Sequence, residues 1–344
     1  MRNTVVVKQN MFTPAEQGES RCVIPGPTSA ERRTFLELDG VGSGVRIYVN
    51  DELAGVETGA GFLNVKVSRF LKGGSNVVRL TGIVGEMLIV EKDPVYFERG
   101  GLYIKYLEKV NRVMISGEVR NDSAVAVAGR ITLASPLFED TVWECTLQPG
   151  VYHFARTIAL NNHEKWDVDS PVLYDISATA ETALSSDTET VPFGVRSLRF
   201  EPDGFYLNGT RRELNGVVLR DMPDESLPAR LRENGVDVIR LTGSPASQRF
   251  LSLCDQTGLL VMADIFDRIP ADGERDAVIS DIVKRDRIHP AIILWNMDPE
   301  KRPAEIVQYD SSRPFTAGLS GGNDLRSTGE TALPPPAEIV VRTQ

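Results

Sequence analysis

Glu300 closes the string Trp295-Asn296-Met297-Asp298-Pro299-Glu300, immediately past an apolar run. A carboxyl placed there could donate a proton if its surroundings raised its pKa and a second acid faced it. Glu305, Glu330 and Glu338 are the glutamates that follow it. Of the 3 histidines, His153 and His163 have no catalytic company in sequence, and His289 precedes Pro290 at the start of an apolar strand, where packing or hydrogen bonding is the expected role. Cys22, Cys145 and Cys254 are odd in number and far apart, so they indicate neither a disulfide framework nor a zinc site and read as buried thiols. Asp203-Gly204 and Asn208-Gly209 read as hairpin turns, and no Gly-rich string leads from a strand into a helix to cradle a phosphate. No cofactor and no metal is implied.

The elements that must position these groups belong to a chain of 344 residues with 38 Lys plus Arg against 48 Asp plus Glu, a net charge of −10 and 41% hydrophobic residues. That length suggests two or three domains. The acidic balance argues against a nucleic-acid partner, which needs clustered cations to displace counterions. Apolar runs such as Ala291 to Trp295 are far shorter than the ~20 residues that cross a bilayer, so no membrane span is expected. The apolar stretch in Met1 to Lys8 is also shorter than the ~7–15 residues of a signal-peptide core, which gives a cytoplasmic expectation.

Residues 1–98 read as short strands. Thr34, Leu36 and Leu38 alternate with charged or bulky partners, as do Val45, Ile47 and Val49, and Asn50-Asp51 turns the chain into Leu53-Ala54-Gly55. A jelly-roll-like β-sandwich is predicted. Residues 99–197 continue with strands. Val113, Ile115 and Val119 share one face, as do Tyr174, Ile176, Ala178 and Ala180, which suits an immunoglobulin-like β-sandwich. From residue 198 to 344 strand and helix signals alternate. Strands are predicted at Glu213 to Leu219, Val236 to Leu241, Leu259 to Ile265 and Ala291 to Met297, with further ones at Pro314 to Leu319 and Ile339 to Val341. Helices are predicted at Leu227 to Asn234, Ser247 to Thr257 and Arg275 to Asp286. Fully apolar strands such as Leu259-Leu260-Val261-Met262 are those of a parallel sheet covered on both faces. This stretch falls short of the ~200–250 residues of a closed eightfold barrel, so an incomplete (β/α) TIM-type barrel is expected, with a loop-rich tail from Gly318 to Pro336.

The order of these modules, and several strings within them, resembles glycoside hydrolase family 2, which contains β-galactosidases, β-glucuronidases and β-mannosidases. The strings are Val45 to Gly55, Phe70 to Val78, Gly100-Gly101-Leu102-Tyr103, Trp166 to Tyr174, Phe193-Gly194-Val195-Arg196, Phe205 to Gly209 with Leu214 to Val217, Val238-Ile239-Arg240, Leu253 to Val261 and Arg285 to Trp295. The resemblance implies a sugar-binding jelly roll, an immunoglobulin-like domain and a catalytic barrel. A retaining glycosidase uses two carboxyl groups ~5–5.5 Å apart, one as acid/base and one as nucleophile.

Carried over by that resemblance, Glu300 takes the acid/base place. Pro299 stands where the family has an Asn that binds the sugar 2-hydroxyl, and Asp298 replaces a Gly. Pro supplies neither an amide side chain nor a backbone N–H. No string identifies a nucleophile. Arg220-Asp221 and Gly243-Ser244-Pro245 stand where the family has sugar-contacting histidines. Arg240 corresponds to an arginine that supports a catalytic carboxylate, or forms a structural ion pair here. Asp264 is a candidate ligand contact after the third strand. Trp295 is either core or a sugar platform, and Asn296 follows it in the same string. The candidate substrate-binding residues are thus Arg240, Asp264, Trp295, Asn296, Arg220 and Asp221. The expected protein is catalytically inactive with a carbohydrate-binding or protein-scaffolding role. The alternative is an active, abbreviated retaining β-glycosidase using Glu300, and a third reading is a gene fragment. An incomplete barrel exposes strand edges, which favours a homo-oligomer or a protein partner as a cover.

Overall fold

The computed structural model describes residues 3–7, 12–14, 19–41, 44–57, 61–82, 86–183, 185–219, 225–242, 246–265, 275–297, 308–317 and 340–342. Strands dominate, and three α-helices are found among the described residues. None of these helices is long and apolar enough to cross a membrane.

The described residues among the first 92 form two antiparallel sheets around one core. One orders the strands Asn3–Val7, Glu86–Lys92, Arg33–Asp39 and Phe62–Lys66; the other orders Thr13–Pro14, Glu19–Pro25, Ser75–Thr81, Arg46–Val49 and Glu52–Val56. The period-2 pattern explains the packing, because Leu36, Leu38, Ile47, Val49, Val78 and Leu80 are fully buried from both sheets. The Arg46–Val49 strand turns back through Asn50 and Asp51 with φ of 50° and 69°. Left-handed backbone at both central residues matches the twist of a two-residue hairpin, and Asn and Asp tolerate it.

A second antiparallel pair of sheets follows. The strand Arg112–Asn121 pairs with Val95–Phe97, Tyr103–Leu107 and Gly150–Ala159, while Phe138–Leu147, Val127–Ser135, Tyr174–Thr182 and Ser186–Phe193 form the other sheet in that order. Val113, Ile115, Val119, Ile176, Ala178 and Ala180 meet in their common core. A three-stranded meander, Leu198–Glu201, Gly204–Leu207 and Thr210–Arg212, leads onward through the hairpin turns at Asp203-Gly204 and Asn208-Gly209.

The C-terminal part is a parallel sheet. Its strands are β1 (Asn215–Leu219), β2 (Val238–Leu241), β3 (Leu260–Asp264), β4 (Ile292–Met297), β5 (Phe315–Ala317) and β6 (Val340–Arg342). They run in the order β5-β4-β3-β2-β1-β6, every pair parallel. The helices α1 (Leu227–Glu233), α2 (Gln248–Thr257) and α3 (Arg275–Asp286) connect the strands β1 to β4. Ser247 caps α2 by accepting the Phe250 N–H, and Gly258 ends it at φ 71°. A Cβ on Gly258 would also lie 2.2 Å from the Val168 carbonyl oxygen, so this turn needs glycine twice over. The predicted tail from Gly318 to Pro336 lies outside the described residues.

Two buried polar networks fasten the sheet to the sandwiches. Asp39, at the end of a strand in the first sandwich, accepts from Arg285 Nη1 at 3.1 Å and from the Gln248 backbone N–H at 2.7 Å. His289 Nδ1 lies 2.5 Å from Asp255 Oδ2, whose other oxygen accepts the Ala291 N–H, and Trp166 Nε1 donates to the Asp255 carbonyl at 2.8 Å. This gives His289 the hydrogen-bonding place its sequence position suggests. Among the thiols, Cys22 and Cys254 are buried, whereas Cys145 is only half-buried because its strand turns that face partly to solvent.

Candidate functional site

The candidate site lies at the C-terminal ends of β2 to β5. Along these strands apolar residues fill the core until the chain leaves it, and there one polar side chain per strand appears. Arg240 is next to last in β2, Asp264 ends β3, Asn296 is next to last in β4 and Thr316 is central in β5. Asp264 pairs in register with Asn296, and Asn296 with Thr316. Arg240 pairs with Met262, two residues before Asp264 and therefore on the same face. Four neighbouring strands thus place a cation, an anion, an amide and a hydroxyl in one row.

Arg240 and Asp264 form the row's central contact. Arg240 Nε donates to Asp264 Oδ1 at 3.2 Å and Oδ2 at 3.0 Å, and Nη2 donates to Oδ2 at 2.8 Å. Such a forked, charge-assisted pair fixes both planes. Asp264, Asn296 and Thr316 are 4%, 2% and 2% exposed, and Arg240 is the partly exposed member. The Ile265 N–H donates to the Asn296 carbonyl at 2.9 Å, which holds the exit of β3 against β4.

The structure brings together Arg240, Asp264 and Asn296 of the sequence-derived candidates. Trp295 is not brought to this row. Strand alternation turns it to the opposite face, where it is fully buried and its Nε1 donates to Asp310 Oδ2 at 2.9 Å. Asp310 is held at about 2: burial alone would raise its pKa, but the charge of Arg313 and hydrogen bonds from Ser312 and Trp295 outweigh that. Glu300, Arg220, Asp221 and Gly243-Ser244-Pro245 lie outside the described residues. Thr316 was not singled out from the sequence. The signal was there in the strand expected at Pro314 to Leu319, whose alternation puts Thr316 beside Asn296 once β4 and β5 are paired. Among the described residues, no group of three or more His, Cys, Asp or Glu side chains is arranged to hold a metal ion.

A parallel sheet connected by helices follows two antiparallel double sheets and carries polar residues at its C-terminal strand ends, the end at which ligands meet sheets of this kind. No family model matches the chain. It is 24% identical to a putative beta-glucuronidase of Formosa agariphila, covering 88% of this chain and 34% of that protein. It is 25% identical to a beta-galactosidase of Thermoanaerobacter pseudethanolicus, covering 84% of this chain and 46% of that one. A solved glycosyl hydrolase family 2 member from Bacteroides cellulosilyticus superimposes with a TM-score of 0.77 at 20% identity, over 88% of this chain and 47% of that chain. Over most of its length the chain is therefore similar to these beta-glucuronidase and beta-galactosidase sequences and to the fold of solved glycosyl hydrolase family 2 members. It spans only about a third to a half of these proteins.

Proposed function

We propose that this chain binds a carbohydrate and does not hydrolyse it, with the parallel sheet acting as an incomplete (β/α) barrel after two folding units at 1–98 and 99–197. The observation that carries this reading is the Arg240–Asp264 fork. Hydrolysis with retention asks a carboxyl either to attack the anomeric carbon or to give up a proton. Both oxygens of Asp264 are instead occupied by a guanidinium. A fixed ion pair beside an amide and a hydroxyl supplies the oriented donors and acceptors that recognise sugar hydroxyls. Pro299 at the family's Asn position supports the same reading, since it removes the side chain that would hold the 2-hydroxyl in the transition state.

The printed names of the two relatives, a beta-glucuronidase and a beta-galactosidase, make β-glucuronides and β-galactosides the first ligands to try. Arg220, Asp221 and Glu300 are proposed to face the same ligand, and a second copy or a partner protein is proposed to cover the outer edges of β5 and β6. The test is turnover of chromogenic β-galactoside, β-glucuronide and β-mannoside by the native chain and Glu300→Gln, together with calorimetric titration of the corresponding free sugars. Binding without turnover, weakened in Asn296→Ala, is the expected result. Turnover that disappears in Glu300→Gln would establish a working glycosidase and overturn the proposal.

A further inference from the structure

At the other end of the same strands, a cleft of about 210 Å³ separates the second sandwich from the N-terminal edge of the parallel sheet. Its walls carry Lys105, Arg196, Arg287 and Arg313 against one carboxylate, Glu108, together with the hydroxyls of Ser197, Ser311 and Ser312. We propose that this cleft is a binding site for a small tetrahedral oxyanion of the phosphate or sulfate class, held by Arg196, Arg287 and Lys105.

The argument rests on which charges are already matched. Arg313 is fully used: it pairs with Asp310 at 2.7 Å and donates to the carbonyls of Ile292 and His289 at 2.6 Å and 2.5 Å. The carboxylates nearby are used as well. Asp310 is shared by Arg313, Trp295 and Ser312; Glu108 accepts from Ser197 at 2.6 Å and Lys165 at 3.4 Å; Asp255 is held by His289 and the Ala291 N–H; Glu118 is paired with Lys284 at 3.2 Å.

Arg196, Arg287 and Lys105 have no such partner among the described residues. Arg196 Nη2 donates to the Ile292 carbonyl at 2.7 Å, and its buried Nε has no acceptor. Arg287 donates to the Tyr309 and Gly100 carbonyls at 2.8 Å and 2.9 Å and lies over the Tyr103 ring, yet its buried Nε also has no acceptor. Lys105 Nζ reaches only the carbonyl and hydroxyl of Ser311, at 3.0 Å and 2.9 Å. Neutral carbonyls satisfy geometry but leave the charge uncompensated, which is costly away from water. Burial, aggravated by the charge of Arg313, accordingly pulls the Arg196 guanidinium well below its ordinary range, and burial lowers Arg287 too.

An oxyanion in the cleft would supply the negative charge that Arg196 and Arg287 on its wall lack and would accept from Lys105 at the more open side, guanidinium groups being suited to its oxygen edges. The cleft is several times the ~30 Å³ occupied by one water, so the ion and some hydration fit together. It lies at the opposite strand ends from the Arg240 row, so sugar binding at that row and oxyanion binding here can fail separately.

Thermal unfolding and calorimetric titration with inorganic phosphate and with sulfate, against sodium chloride at matched ionic strength, would test this site. The expected result is a Tm rise of about 2 °C at tenfold saturation with either oxyanion and none with chloride. The rise should be lost in Arg196→Met and reduced in Lys105→Gln, a half-exposed position. If Arg196→Met does not fold, Lys105→Gln decides. Glucose 6-phosphate binding more tightly than phosphate would identify an esterified group as the natural source, and weaker binding would identify the free ion. Equal effects of phosphate and chloride, or an undiminished phosphate response in the folded variants, would overturn the proposal.

Discussion

Trp295 donates its indole N–H to Asp310 across 2.9 Å, joining the core of β4 to the segment that leads into β5. The same carboxylate receives Arg313 Nη1 at 2.7 Å and Tyr103 Oη at 3.3 Å. One buried acid therefore gathers the sheet, its fifth strand and the second sandwich.

This acid sets a pH window. Its folded pKa of about 2 lies below the ~3.9 of an unfolded Asp. The stabilisation is therefore present above about pH 4 and is lost as pH falls toward 2, and it amounts to about 2–3 kcal/mol. Urea unfolding of Asp310→Asn between pH 7 and pH 2 should show lower stability than the native chain at pH 7 and a shallower acid loss. Parallel pH curves for the two proteins would contradict this assignment.

Removing Arg240 should deprive the buried Asp264 carboxylate of the guanidinium that both its oxygens accept from. Arg240→Met is expected to cost about 3 kcal/mol, as for other one-sided deletions of buried pairs. Arg240→Met with Asp264→Leu should recover much of that loss in equilibrium unfolding. A double variant no more stable than the single one would argue against pairing as the source.

Gly194 sits where a Cβ would approach Trp166 and Pro290 to 2.8 Å. Gly194→Ala should lower stability by about 1–3 kcal/mol through overpacking, with the drop read from the urea midpoint at unchanged slope.

Thiol reactivity should follow burial. Burial pushes Cys22 up to about 11 and Cys254 further in the same direction, while Cys145 is half-buried and raised less strongly by burial and by Glu144. Iodoacetamide at pH 8, followed by mass spectrometry, should modify Cys145 first, with Cys22 and Cys254 reacting only in urea.

The antiparallel sandwiches were legible in the sequence because a period of two survives in single strands: Ile47 and Val49 announce their own burial. The parallel strands were legible as well, since Leu260 to Met262 and Ile292 to Trp295 are apolar throughout. Such uniform strands do not reveal which face a side chain takes, however. Trp295 and Asn296 are neighbours in the string that drew attention to both, yet they point to opposite faces, and only pairing with β3 and β5 separates them. The Arg196 cleft left no trace in sequence for a different reason. Its residues come from the second sandwich, the entry to the meander and the turns around β4, and they share no motif.

The bond between Asp39 and Arg285 also bears on how the molecule is made. During translation the carboxylate leaves the ribosome 246 residues ahead of its guanidinium, so the first sandwich can close only around an unfinished seam. Docking of α3 is then a late assembly event, and a nascent chain halted before that helix would expose Phe62, the ring on which Arg285 rests, to chaperones.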